Sequence, residues 1–121
     1  MNENRWILMV GDDEGDRVDD VAVDLDNRMV SRNGREVLLE PKEFDVLSVM
    51  VRNMNKTLSR DTILNEVWGA DCFYDPHTLD VRVSNLRKKL GYNIVRTVPK
   101  YGYRMEDGSN MGENVTSAGG S

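Results

Sequence analysis

Leucine or valine recurs at positions 79, 83, 86 and 90, between Asp75-Pro76 on one side and Gly91 on the other. At the helical rotation per residue, these four side chains fall within roughly 60° of one another and make one apolar stripe. An N-cap residue followed by proline opens the stretch and a glycine closes it, so the spacing predicts a helix over about residues 76–90. A helix with a single apolar stripe needs other elements to cover it, and the chain supplies them on both sides.

Before it, Pro41 suits a first helical turn, and Phe44, Leu47, Met50, Val51 and Met54 share one face at three- and four-residue spacings. Ser59 is a good N-cap for a second helix, in which Ile63, Leu64, Val67 and Trp68 form the stripe before Gly69 stops it. Further upstream Val21, Val23 and Leu25 alternate with less apolar residues, and Asn33-Gly34 favours a type I′ hairpin turn, so an antiparallel sheet is expected over about residues 20–39. After the third helix, residues 94–98 and 101–105 read as two strands joined at Pro99-Lys100. The order sheet, helix, helix, helix, hairpin predicts an α+β fold: a winged helix-turn-helix with an N-terminal antiparallel β-sheet, three helices and a C-terminal β-hairpin wing. Residues 20–105 form that domain, residues 1–19 are an acidic extension read as an appendage, a receiver remnant or an extra strand, and residues 106–121 are a polar, glycine-rich tail expected to be disordered.

The formal net charge is −5, yet its distribution is uneven. Residues 1–26 hold nine acids and two bases, whereas Arg82 to Arg104 contains seven basic residues and no acid. A local positive segment in an acidic protein is what binding to a polyanion requires. With one cysteine, Cys72, and one histidine, His77, the chain offers no internal disulfide, no zinc ligand set and no Ser-His-Asp or Cys-His arrangement; no metal, cofactor or catalysis is expected. No run approaches a membrane span and no secretory signal opens the chain, so a cytoplasmic protein with no membrane partner is expected.

The outer side of the third helix carries His77, Val81, Ser84, Asn85 and Lys88, with Arg82, Arg87 and Lys89 toward its flanks. An aliphatic residue on a polar, basic face suits contact with a thymine methyl, Asn85 can address adenine, and Arg87 can address guanine or phosphate. Val81 and Asn85 are therefore candidate base readers of double-stranded DNA, with Arg87 open to base or phosphate. Arg82, Ser84, Lys88, Lys89, Arg96, Lys100 and Arg104 are the candidate backbone or wing contacts. A winged helix that serves as a protein-interaction module, such as an antirepressor or adaptor with weak nonspecific DNA binding, is the rival reading; it calls for large apolar residues on this face, where Val81 stands alone.

The stretches "EPKEFDVLSVMVRNMNKTLSRDTILNEVWG", "HTLDVRVSNLRKKLG" and "RTVPKYGYRM" resemble the C-terminal DNA-binding domain of OmpR/PhoB-type response regulators of two-component systems. "DVAVDLDNRMVSRNGREVLLEPKEF" is similar to that family's N-terminal sheet. The resemblance implies transcription regulation on direct-repeat sites, bound head to tail as a homodimer on DNA. It implies a loop before the third helix that touches RNA polymerase, here with Asp71, Phe73 and Tyr74. It also implies that Val81, Asn85 and Arg87 match base-reading positions and Thr97 a position near DNA. The sequence departs from the pattern at three places: His77 stands for a usual arginine beside Asp80, Asn85 for a frequent arginine, and Pro99-Lys100 for Arg-Gly in the wing. "WILMVGDDE" resembles the first strand and acidic pair of a receiver domain, and no functional receiver is expected from it.

Overall fold

The computed structural model describes residues 5–11, 18–69 and 77–106. The Asp75-Pro76 start signal, the loop bearing Asp71, Phe73 and Tyr74, and the tail from residue 107 lie outside the described residues.

Four antiparallel strands open the chain: β1 (Arg5–Gly11), β2 (Val18–Asp24), β3 (Met29–Arg32) and β4 (Arg35–Val37), adjacent in that order. Between β3 and β4, Asn33 and Gly34 both take positive φ, 54° and 85°, as the two central residues of a type I′ turn require. β1 pairs with β2 along its whole length, with Leu8 opposite Val21 and Trp6 opposite Val23. Leu8 and Val10 join Val21, Val23 and Val30 in the core. Of the alternatives read for the N-terminal segment, residues 5–11 form the extra strand. Alternation along β1 puts Leu8 and Val10 on the covered face while Ile7 and Met9 look outward.

Helix α1 (Pro41–Arg52) begins after Glu40, whose backbone N–H donates to the Glu43 carboxylate at 3.0 Å. A short strand β5 (Thr57–Ser59) follows, and its last residue caps α2 (Arg60–Trp68), the Thr62 N–H donating to Ser59 Oγ. Helix α3 (His77–Leu90) buries Leu79, Val83, Leu86 and Leu90, the four residues of the sequence stripe. It ends at Gly91 with φ 115°, and a single 3-10 turn (Tyr92–Ile94) replaces the start of the expected strand.

The wing consists of β6 (Arg96–Val98) and β7 (Gly102–Arg104), joined through Lys100 at φ 66°. It is three-stranded, because β5 pairs with β7 on the other side. Gly102 makes that pairing possible: a Cβ there would lie 1.9 Å from the Leu58 carbonyl oxygen. Arg32 binds the sheet to α3 by pairing with Asp19 and donating to the carbonyl of Lys89 in the last turn of α3, where a cation is favoured.

Candidate nucleic-acid interface

The exposed side of α3 is defined by what covers the rest of the helix. Its stripe faces the core, one flank packs along α1, and the other meets the wing. Val81, Ser84 and Lys88 remain outward, with His77 at the first turn. Val81 is 54% exposed, a large apolar side chain held at the centre of a polar face.

The flank along α1 is organised by Glu43, whose residue is only 1% exposed. One carboxylate oxygen accepts from Lys89 Nζ at 2.7 Å and from the Glu40 N–H, and the other accepts from Asn85 Nδ2 at 3.0 Å. Burial alone pushes the Glu43 carboxyl up, but the hydrogen bond and charge of Lys89, with the bonds from Glu40 and Asn85, outweigh it and hold the group below its ordinary value. An ionised carboxylate only accepts, so the amide nitrogen of Asn85 must face it. One turn earlier on this flank, Arg82 pairs with Glu40 at 2.8 Å.

On the wing flank, Arg87 donates through Nε and Nη2 to the carbonyl of Val95 and through Nη2 to Thr97 Oγ1. Its guanidinium lies 4.9 Å from the ring centre of Tyr92 and 5.9 Å from that of Tyr103. A second tie joins three elements: Asp80 of α3 accepts from Arg60 at the start of α2 and from the Tyr103 hydroxyl of β7. Burial tends to raise the Asp80 carboxyl, yet Tyr103 and Arg60 together hold it below its usual range, while burial and Asp80 push the Tyr103 hydroxyl up. His77 stands 4.0 Å from Asp80, and Arg60, at 3.0 Å, is the arginine that pairs with it.

Strand alternation divides the wing's polar residues between two faces. Thr97 and Tyr103 turn toward α3, whereas Arg96 and Arg104 are cross-strand neighbours on the opposite face and share the carboxylate of Glu106. Arg104 also donates to Thr57 of β5. Lys100 stands exposed at the turn.

The sequence-based site is thus brought together only in part. Val81, Ser84 and Lys88 share one outward face, with Thr97 and Lys100 on the adjoining wing. Asn85, expected on the outward face, and Arg87, expected toward a flank, have their polar groups turned to Glu43 and to the wing backbone. Of the seven bases between Arg82 and Arg104, four are paired with acids outside that segment: Arg82 with Glu40, Lys89 with Glu43, and Arg96 and Arg104 with Glu106. Lys88 and Lys100 make no ion pair among the described residues. Sequence reasoning passed over Glu43 and Glu106. Glu43 at the third position of α1 is a signal for helix capping, but its partners on α3 lie more than forty residues away and leave no local trace. Among the described residues no cluster of metal-ligating side chains occurs, and no helix is long and apolar enough to cross a membrane.

Residues 34–105 match the family described as "Transcriptional regulatory protein, C terminal". The phosphate regulon transcriptional regulatory protein PhoB of Rhizobium meliloti is 37% identical over 94 residues, covering 74% of this chain and 41% of that protein. The sensory transduction protein RegX3 of Mycobacterium tuberculosis is 36% identical over 114 residues, covering 84% of this chain and 50% of that one. The chain therefore matches two fifths to one half of the length of these curated relatives. Among solved structures, the DNA-binding domain of Bacillus subtilis CssR is 37% identical with a TM-score of 0.64, covering 70% of this chain and 98% of that domain. The response regulator AdeR DNA-binding domain, in complex with an intercistronic region, is 25% identical with a TM-score of 0.59, covering 71% of this chain and 93% of that one. The fold, the family match and these relatives lead to one assignment: the chain belongs to the OmpR/PhoB-type transcriptional regulators and contains their C-terminal winged-helix DNA-binding domain.

Proposed function

We propose that this chain binds double-stranded DNA sequence-specifically and regulates transcription, with α3 in the major groove and the wing turn on the flanking backbone or minor groove. The observation that carries the reading is the outward face of α3. Val81 stands exposed on the same face as Ser84 and Lys88, and nothing in the fold explains an aliphatic side chain there. Val81 supplies apolar contact to a thymine methyl, Ser84 and Lys88 address phosphate or base edges, and Thr97 and Lys100 extend the contact onto the wing. Asn85 and Arg87 serve first as positioning residues: Asn85 ties the reading helix to α1, and Arg87 sets the angle between helix and wing. A neighbour of the same fold, the AdeR domain, has been solved in complex with an intercistronic region, which supports DNA as the ligand.

The same reading takes in direct-repeat sites occupied by two copies, and a polymerase-facing loop with Asp71, Phe73 and Tyr74. A protein-interaction module is less well supported, because the face holds one large apolar residue amid polar ones. The test is selection of the purified protein on a random duplex pool at near-physiological salt, repeated with Val81→Ala and Lys88→Ala. Enrichment of a short motif, blurred at one position by Val81→Ala and uniformly weakened by Lys88→Ala, is expected. No enrichment with wild type, or identical motifs and affinities with both substitutions, overturns the reading.

A further inference from the structure

A cleft of about 430 Å³ lies between the N-terminal sheet and the wing. Its walls are two uninterrupted runs, Leu8 to Gly11 of β1 and Tyr92 to Thr97 leading into β6, together with Arg87 of α3, Arg104 and Glu106. Successive residues of a strand point to opposite faces, so a cavity lined by four in a row runs along the strand's edge and not over one of its faces. Both strands are edges: β1 ends the four-stranded sheet and β6 ends the three-stranded one. Long edge strands present unpaired backbone donors and acceptors, and proteins ordinarily blunt them. Here the Asn93 side chain covers the Gly11 carbonyl, at 2.7 Å, and Met9 remains 40% exposed beside it.

The far side of the cleft is positive. Arg96 and Arg104 both reach into it, and each donates to the carboxylate of Glu106, at 3.3 and 2.7 Å. Arg96 is 67% exposed at its side chain, so this carboxylate is held at the surface with little loss of hydration. An arginine pair already clasping a carboxylate marks the chemistry that fits there. The pair sits on the wing face turned away from α3, so the proposed DNA surface does not account for it.

We propose that this cleft is a docking groove for an extended, acidic peptide segment of a partner protein, added as a strand to the β1 or β6 edge, with one carboxylate replacing Glu106 on Arg96 and Arg104. Strand addition draws affinity from main-chain hydrogen bonds, and the arginine pair supplies the selectivity. Glu106 then acts as an internal competitor that weakens all such ligands alike.

The test is selection from a displayed random heptapeptide library on the wild-type protein, followed by affinity measurement of the enriched synthetic peptides. The expected peptides carry an aspartate or glutamate within alternating apolar residues, and they shift the amide resonances of Leu8 to Val10 or Arg96 to Val98. Arg96→Glu, at an exposed position, is expected to weaken them at least tenfold, and Glu106→Gln to tighten them several-fold. Opposite changes from two surface substitutions cannot both come from misfolding. No enrichment, peptides without an acid, or affinities unmoved by both substitutions overturns the proposal. None of these readouts involves DNA.

Discussion

Glu43 shows how one residue can couple the DNA-facing helix to the rest of the fold. Its carboxylate is buried, and every one of its donors comes from the segment just before α1 or from α3. Removing Lys89 strands a buried carboxylate, whereas removing Glu43 leaves a lysine whose side chain is 35% exposed and able to reach water. Lys89→Met is therefore expected to cost about 3 kcal/mol at neutral pH, and Glu43→Gln less. The sign of the pH dependence follows from the direction of the shift. A carboxyl held below its ordinary 4.5 contributes stability that is complete above that value and is lost as pH falls through the lower folded one. Asp80, also held low, adds a loss in the same direction. Wild type should lose stability on acidification below about pH 4.5, and the Lys89→Met penalty should shrink there because its carboxyl can protonate. Urea unfolding of both proteins at pH 7 and pH 4 measures this; a penalty equal at both pH values would show that Lys89 does not hold the Glu43 charge.

At the scale of elements, the sequence was legible where the signal is local. The three helices follow from stripes and stops such as Leu79 to Leu90 with Gly91, and the β3–β4 hairpin from Asn33-Gly34, whose positive φ values leave little choice of turn. What stayed open, as for β1, or escaped, as for β5, depends on distant partners. β1 becomes a strand because β2 pairs with it in register, and β5 is three residues long with Ser59 doing double duty as the α2 cap. A helical wheel placed Asn85 and Arg87 by angle, but it contains nothing about Glu43 or the Val95 carbonyl, which decide where their polar groups go. The wing turn adds a test at this scale. Lys100 occupies the left-handed region at φ 66°, a conformation that costs a non-glycine residue about 1 kcal/mol. Lys100→Gly is expected to keep or raise the melting temperature while weakening DNA binding, since the turn relaxes as its cation disappears. Loss of stability on this change would mean that the lysine side chain holds the turn. Arg87→Ala is expected to act otherwise: it frees the wing from α3, raising amide exchange through Arg96 to Val98 and weakening binding on every sequence alike.

For the whole molecule, the question is how much of the seven-base segment a polyanion can feel. If all seven bases neutralised phosphates, affinity would fall with a log–log salt slope of roughly −6, at about −0.9 per phosphate. The structure pairs four of them with Glu40, Glu43 and Glu106, and it turns Arg96 and Arg104 to the face away from α3. That leaves Lys88, Lys100 and the partly engaged Arg87 for DNA, so one bound domain is expected to show a slope of roughly −3. Acids elsewhere in the fold thus act as internal counterions, which reconciles a concentrated positive stretch with an acidic protein. Titrating one duplex site at several salt concentrations measures the slope, and Glu106→Gln separates the two faces. The slope should be unchanged by that substitution if Arg96 and Arg104 serve the cleft, whereas steepening by one or two would place them on the DNA after all. A wild-type slope near −6 would mean that DNA breaks the Glu40, Glu43 and Glu106 pairs alike, and the cost of breaking them would then appear as weaker binding than the contact surface implies.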